Sequence, residues 1–240
     1  MKTKKSFIVL TVTMASIIFA SCNGGLNEVE DPFTISESEK SEILDSLTCT
    51  GCTFSGELTE EEIEGLMVMR EEEKLAGDVY SFFYEKYNQL IFSNISKSET
   101  AHKNAVLHLI EGYGLTDPTP SETATFANSL FNDLYVQLTE QGSASLVEAL
   151  KTGAFIEEYD IADLEQLLED TQNEDVLRVY GHLLNGSKNH LRAFTRILNN
   201  LGETYTPTVI TEEHYMEILA ENPAIGNAYG GNGTYGTCKN

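Results

Sequence analysis

The chain has 240 residues, and its 38 Asp and Glu against 15 Lys and Arg give a formal net charge of −23 at pH 7. So acidic a surface argues against binding to nucleic acid or to anionic lipid, because both would repel the chain. The sequence also has no nucleophile motif, phosphate-binding loop or dinucleotide fingerprint, which argues against a hydrolase or a dehydrogenase.

The first 21 residues have the pattern of a secretory signal. A basic start, MKTKK, precedes a mostly apolar run over 7–20 that is too short to span a bilayer. The run ends in Phe19-Ala20-Ser21-Cys22, which resembles the cleavage motif of bacterial lipoproteins. We therefore expect a lipid on Cys22 as the only membrane contact, and a location in the bacterial cell envelope, at the outer membrane. A soluble secreted protein cut nearby, or an uncleaved anchor, is the alternative.

Residues 22–57 are poor in aromatic residues and rich in Glu, Ser, Gly and Thr, which predicts a tether with one short helix near 36–47. With Cys22 lipidated, three thiols remain, those of Cys49, Cys52 and Cys238. An oxidising compartment favours a disulfide between two of them. A redox-active Cys49/Cys52 pair is the alternative, but no βαβ pattern surrounds it.

The sequence pattern of residues 58–220 predicts an all-α domain with four long helices joined in two pairs. Thr59 and Glu62 have the spacing of a capping box, which begins the first helix. The predicted bounds of the long helices are 59–88, 95 to Gly112 or Gly114, 145–170 and 173–200, with a turn near 90–94 before the second.

A long crossover connects the second and third of these helices. It consists of a Pro-rich loop and an amphipathic helix over 128–141, and it is long enough to run from one end of a bundle to the other. After the fourth long helix we expect an extended strap, a short helix containing His214, and a flexible Gly- and Asn-rich tail over 221–240.

Glu99 and His102 lie on the apolar stripe of the second helix, in line with Val106 and Leu109. A carboxylate and an imidazole one turn apart can bind one metal ion, and burying them without a partner or a metal is costly. In so acidic a chain this spacing also arises by chance, so the other helices decide its meaning. They place the same ligand types on their own apolar stripes, at Glu73, Glu157 and His190.

Neighbouring acidic residues leave alternatives open. Glu72 aligns with an apolar face of the first helix, just as Glu73 does, so either of the two could face inwards. The whole acidic run 71–73 could instead be solvated. Asp160 lies one turn beyond Glu157 and is a further candidate ligand, whereas Glu158 is predicted to face solvent.

The ligand types and their order along the chain match the di-metal carboxylate site of some four-helix bundles, to which two helices each give a Glu and two give a Glu/His pair. Carboxylate and imidazole ligands suit iron and manganese, so we expect one or two Fe or Mn ions. The predicted ligands are Glu73, Glu99, His102, Glu157, His190 and Asp160.

Four segments carry a resemblance to a known group of proteins: REEEKLAGDVY (70–80), SETAH (98–102), IEEYDIADLE (156–165) and GSKNHLRAF (186–194). With them, the chain resembles an uncharacterised bacterial and archaeal branch of the ferritin-like superfamily, a domain of unknown function. The spacing of Glu73, Ala76 and Tyr80 is also similar to the first-helix ligand pattern of rubrerythrins. The resemblance implies an up-down four-helix bundle with one long crossover and a metal site between its helices, but no reaction.

One departure from the ferritin-like pattern concerns the fourth long helix, where Ser187 stands in place of a Glu. A serine hydroxyl is a weak ligand, so we expect one tight metal position and one weak position, unless Asp160 reaches the second. The function predicted is that of a metal-binding lipoprotein with non-haem di-iron or di-manganese redox activity towards O₂ or peroxide. A protein that only sequesters metal, or a structural surface lipoprotein, is the alternative.

Replacing Cys22 tests the predicted lipid anchor. Because Cys22 offers the only sulfur at the cleavage motif, Cys22→Ala should abolish palmitate labelling in a bacterial host and leave unprocessed precursor. Cys49→Ala serves as the control and should label normally. Continued labelling of the Cys22→Ala protein would contradict the anchor.

Overall fold

The computed structural model describes residue 54 and residues 56–221. This part of the chain contains six α-helices and no strand, which confirms the all-α class. The helices are α1 (Glu60–Tyr87), α2 (Leu90–Gly112), α3 (Ser129–Gly142), α4 (Leu146–Asp170), α5 (Glu174–Asn200) and α6 (Glu212–Ala220). The predictions for the signal segment, the tail and Cys22, Cys49, Cys52 and Cys238 fall outside the described residues, as does most of the tether.

The predicted turn near 90–94 is wrong, because α2 already begins at Leu90. The turn lies before Leu90 instead, at Asn88, whose left-handed backbone (φ 51°) ends α1. Ile91 and Phe92 are buried in the core. Their packing holds the first turn of α2 in place, although its N-cap residue, Gln89, makes no side-chain capping bond.

The four long helices contact one another as a ring: α1 packs on α2, α2 on α5, α5 on α4, and α4 on α1. The crossover helix α3 packs on α1 and α4, and the short α6 packs on α5. Large apolar side chains fill the interior, among them Leu66, Met69, Phe83, Phe92, Ile161 and Phe194. In the described part of the chain, no helix combines the length and the apolar character that a bilayer crossing requires.

The polar run at the centre of α1 is buried, so the interpretation of 71–73 as a solvated run is wrong. Glu71 accepts hydrogen bonds from the backbone N–H groups of Ala127 and Asn128, at 2.5 and 2.8 Å. Arg70 donates to Asp117 at 3.0 Å, so two adjacent residues of α1 hold the crossover loop. Buried acceptors of this kind are tolerated because backbone donors satisfy them.

The prediction that Glu158 faces solvent is also wrong, since its side chain is fully buried. Its carboxylate accepts from the backbone N–H groups of Thr208 and Ile210, at 2.6 and 2.8 Å, and from that of Val209. The hydroxyl of Tyr205 also donates to it. The strap, residues 205–210 between α5 and α6, therefore packs against α4. It supplies the polar partners of Glu158, which the helical pattern of α4 could not reveal.

Glu62 connects the start of α1 to the turn between α4 and α5. Its side chain accepts from the N–H of Thr59 at 2.9 Å, which completes the predicted capping box, and Thr59 accepts from Glu62 in return. The other carboxylate oxygen accepts from the N–H groups of Gln172 and Asn173, both at 2.9 Å, in the turn between α4 and α5. Burial raises the pKa of Glu62, but these N–H donors outweigh burial and hold the pKa below its ordinary value of 4.5.

Glu62→Gln should lower the free energy of unfolding by about 1–3 kcal/mol at pH 7, because an uncharged acceptor binds the same N–H groups more weakly. Since the folded pKa lies below the unfolded one, the contribution of Glu62 is complete above about pH 4.5 and is lost as the pH falls through the folded pKa. Chemical denaturation at pH 7 and pH 3 measures the difference. The control is Glu61→Gln, on the exposed side of the same turn; equal effects of the two substitutions would contradict this role.

Candidate metal centre

Four helices each bring buried ligand types to the middle of the ring. Glu73 comes from α1, Glu99 and His102 from α2, Glu157 from α4 and His190 from α5. The three carboxylate side chains are at most 1% exposed, and the two imidazoles are 12% and 8% exposed. The structure thus places five of the predicted ligands in one interior cluster.

The first group of three consists of Glu73, Glu99 and His102, whose candidate ligand atoms all lie within 4.8 Å of one another. His102 Nδ1 is 2.8 Å from Glu99 Oε2 and 3.2 Å from Glu73 Oε2. The i,i+3 spacing on α2 brings Glu99 and His102 to the same side of the helix, as the sequence predicts.

The second group of three consists of Glu99, Glu157 and His190, within the same 4.8 Å limit. His190 Nδ1 is 2.9 Å from Glu99 Oε1 and 3.3 Å from Glu157 Oε2. Glu99 therefore belongs to both groups and presents one carboxylate oxygen to each imidazole. The two imidazole rings lie nearly parallel, with centroids 5.7 Å apart. These groups could hold a metal ion at either imidazole.

Burial and mutual proximity shift the pKa values of these groups strongly. Burial raises the pKa of Glu73 to about 8, and the neighbouring Glu99 adds to the rise. Burial lowers the pKa of His190, but Glu99 and Glu157 outweigh it and raise that pKa to about 10. Glu99, which lies between two imidazoles, has its pKa lowered despite its burial. In the absence of a metal, protons on the imidazoles and on Glu73 thus balance the remaining carboxylates.

The hydrogen bonding of the cluster leaves buried acceptors that a cation could satisfy. Glu73 Oε1 and both carboxylate oxygens of Glu99 are buried, and no described group donates an aligned hydrogen bond to them. The imidazoles contact Glu99 without the alignment that a hydrogen bond requires. Buried acceptors normally have a donor or an ion as partner. A cation between these oxygens would supply the partner, so the residues fit a metal ion.

Asp160 lies beside the cluster but outside both groups of three. Its Oδ2 accepts a hydrogen bond from Ser187 Oγ at 3.2 Å, and the Ser187 hydroxyl also lies 3.1 Å from the carbonyl oxygen of Leu183. Burial, followed by repulsion from Glu73 and Glu157, raises the pKa of Asp160 well above its ordinary value. The Ser187 hydroxyl of α5 is thus paired with a buried carboxylate of α4 that belongs to neither group of three.

Aromatic side chains close one side of the cluster. The hydroxyl of Tyr80 donates to Glu157 Oε1 at 2.5 Å, so it fixes one oxygen of a candidate ligand. The Tyr80 ring packs on Phe194 and Phe92, with centroids 5.5 and 6.4 Å away. All three rings are fully buried. They exclude water from this side and leave Glu157 with one oxygen for a metal.

The position of His102 depends on a glycine that the sequence analysis did not single out. A Cβ atom at Gly186, on α5, would lie 2.5 Å from His102 Cε1 and 2.6 Å from Nε2. A glycine inside a long helix costs about 1 kcal/mol relative to alanine, so its presence is the signal that indicates a close approach. The imidazole occupies the space that any larger residue would take.

Taken together, these features define an all-helical protein with a buried carboxylate–imidazole cluster that could hold metal. The chain belongs to the family described as an uncharacterized protein domain, DUF2202, whose sequence profile matches residues 62–222.

The chain is similar to a protein of the archaeon Methanocaldococcus jannaschii, the uncharacterized protein MJ0754. The two are 49% identical over 170 residues, which are 70% of this chain and 92% of the relative. The fold is also similar to the crystal structure of the hypothetical protein MJ0754 from Methanococcus jannaschii, with a TM-score of 0.69 and 49% identity. That match covers 70% of this chain and 97% of the other.

Gly186→Ala should displace the His102 ring and weaken metal binding at the first group by about 10- to 100-fold, the effect typical of disturbing a ligand's support. The bundle should remain folded, because the ring can shift at a cost of about 1–3 kcal/mol. Co²⁺ titration monitored by absorbance measures the binding. Asn185→Ala, at an exposed position one residue before, is the control; equal Co²⁺ affinity in both variants would contradict the close contact.

Proposed function

We propose that this protein is a ferritin-like metal-binding protein that holds two Fe or Mn ions and reacts with O₂ or peroxide. The observation that carries the proposal is the sharing of Glu99 by two groups of three ligands. A carboxylate that presents one oxygen to each of two imidazoles is positioned to bridge two ions. Glu73 and His102 would complete one position, and Glu157 and His190 the other.

The packing of the helices supports the ferritin-like part of the proposal. The four long helices form a ring of neighbours, and α3 lies in the connection between α2 and α4. Each long helix contributes to the cluster from near its middle. Up-down bundles with one long crossover place di-metal carboxylate sites in the same way.

The ligand chemistry supports iron or manganese. Hard carboxylate oxygens and imidazole nitrogens suit both metals, whereas a cluster without a cysteine is less suited to soft ions. Bound Fe or Mn would supply a reversible change of oxidation state, which is what reduction of O₂ or peroxide requires. The chain's own residues hold the ligands: Tyr80 orients Glu157, and the aromatic layer excludes water.

The two proposed positions are unequal. In the first, Glu73 keeps Oε1 free of any hydrogen-bond donor among the described residues. In the second, Tyr80 occupies Glu157 Oε1, and Ser187 stands where a further carboxylate would serve as ligand. We therefore infer one tighter ion at the first position and one weaker ion at the second, with Asp160 near enough to assist.

The cellular location is proposed from residues 1–22 alone. A lipid on Cys22 would anchor the protein in the cell envelope, with residues 23–57 as a tether between the anchor and the helical domain. A metal centre at that location would meet oxidants from outside the cell first.

Three substitutions separate the roles of the shared and the unshared carboxylates. Glu99→Gln should abolish binding of both ions, Glu73→Gln that of the tighter ion, and Glu157→Gln that of the weaker one. Each substitution should lower the affinity for the ion concerned by at least about 100-fold, because a charged ligand is lost. Elemental analysis and Co²⁺ titration give the stoichiometry, and Glu169→Gln, on the exposed surface of α4, is the control. Equal loss in all three variants would contradict the shared role of Glu99.

Reaction with oxidants is measured separately on the wild-type protein. After anaerobic loading with Fe²⁺, it should consume O₂ or hydrogen peroxide faster than the Glu99→Gln protein does. Tightly held iron without consumption would leave metal sequestration as the function. If chelation leaves the melting temperature unchanged and no metal is ever bound, the metal centre itself is rejected, because bound metal must stabilise the folded state.

A further inference from the structure

A small pocket lies between α1, α3 and α4, next to the cluster. Its walls are apolar and are formed by Leu75, Phe131, Leu134, Leu138, Phe155 and Ile156. Glu72, Tyr159 and Asp160 complete the lining. The centre of a water-sized molecule can move through about 20 Å³ of this pocket, which is room for about one such molecule.

The exposure of the lining side chains differs between the rim of the pocket, which is partly exposed, and its floor, which is buried. Leu134, Phe155 and Tyr159 are half-buried, whereas Glu72 and Asp160 are 5% and 3% exposed. The pocket thus leads inwards from the surface of α3 to two acidic side chains.

The floor of the pocket adjoins the proposed metal centre. Asp160 lines the pocket and also lies close enough to Glu73 and Glu157 for their charges to repel its own. Asp160 also accepts a hydrogen bond from Ser187 on α5. The pocket approaches from the side where α3 covers the ring. The aromatic layer closes another side, around Tyr80.

The lining selects for a small uncharged molecule. A hydrated metal ion would lose its water shell against apolar walls without replacement ligands, which is costly. O₂ has no such cost, and hydrogen peroxide loses only its hydrogen bonds to water, which costs much less than the loss of an ion's water shell. At the floor, the carboxyl group of Glu72 interacts with that of Asp163 through a side-chain hydrogen bond. The carboxylate of Asp160 lines the same pocket and lies at the edge of the cluster, where Ser187 donates to it.

We propose that this pocket is the route by which an uncharged two-oxygen molecule, O₂ or hydrogen peroxide, reaches the metal centre. The proposal rests on the proposed function, because the metal centre is the destination of the molecule. Leu134, at the rim, is the residue that controls the width of the route. Asp160 is the acidic residue at its inner end.

The first experiment uses metal-free protein and needs no reaction. Dissolved O₂ is paramagnetic, so under O₂ pressure it should broaden the methyl signals of Leu75 and Leu138 more than those of Leu150 and Leu191. All four side chains are nearly fully buried, but only the first two line the pocket. Leu134→Trp should remove the difference by filling the pocket. Equal broadening of all four residues in the wild-type protein would overturn the proposal.

The second experiment compares Leu134→Trp with Val136→Trp after loading with Fe²⁺. Val136 is 52% exposed on the same helix and outside the pocket, so its substitution is the matched control. Leu134→Trp should slow oxidation of the bound iron by at least about tenfold, or about 1.4 kcal/mol of barrier. Parallel reactions with O₂ and with peroxide show which of the two uses the route. Val136→Trp should react at the wild-type rate.

The rate of Fe²⁺ uptake by the metal-free variants separates this route from a path for the metal. Uptake should be equal in Leu134→Trp and Val136→Trp, and slowing of uptake in the first alone would overturn the proposal.

If the loaded wild-type protein does not react with either oxidant, the redox function fails. The O₂-dependent broadening still decides whether the pocket admits the molecule. Should Leu134→Trp fail to fold, Leu134→Phe provides a smaller plug for both measurements.

Discussion

The burial of Glu99 between two imidazoles is the constraint on which the rest of the structure depends. Its oxygens lie 2.8 Å from His102 and 2.9 Å from His190, and its side chain is 1% exposed. A carboxylate in that position is tolerated only while opposite charge surrounds it, and removal of one partner from such a buried pair costs about 3–5 kcal/mol. The registers of α2 and α5 are therefore fixed together, since a shift of either would leave a buried charge unpaired.

The same constraint explains why metal would suit the cluster better than protons do. Burial raises the pKa of Glu73 to about 8, and repulsion from the neighbouring Glu99 adds to the rise. Protons on His102 and His190 offset this repulsion only at the nitrogen atoms and leave the oxygens of Glu99 without aligned donors. A divalent cation would satisfy several of these oxygens at once, so binding and folding would be coupled.

Consecutive acidic residues take unrelated roles, because each residue along a helix points about 100° away from the previous one. Glu71 caps the crossover loop, Glu72 faces the small pocket, and Glu73 faces the cluster. Likewise, Glu157 faces the cluster, while Glu158 binds the strap after α5. The acidic composition of the chain is thus partly an internal property, with backbone donors and imidazoles as partners.

The sequence by itself determined the all-α class, most of the helix bounds, and the ligand types on four apolar stripes. These features follow from caps and from hydrophobic periodicity, which act over a few residues and are visible in the chain. Periodicity also indicates which side of a helix is buried, which is why Glu73, Glu99, His102, Glu157 and His190 could be named.

Only the tertiary structure decided which elements face those stripes. The strap that binds Glu158, the glycine that admits His102, and the sharing of Glu99 by two imidazoles all involve residues distant in sequence. The early start of α2 has the same cause, since the packing of Phe92 outweighs a weak N-cap. A helical pattern specifies a direction for each side chain, whereas the partner in that direction is set by how separate helices pack.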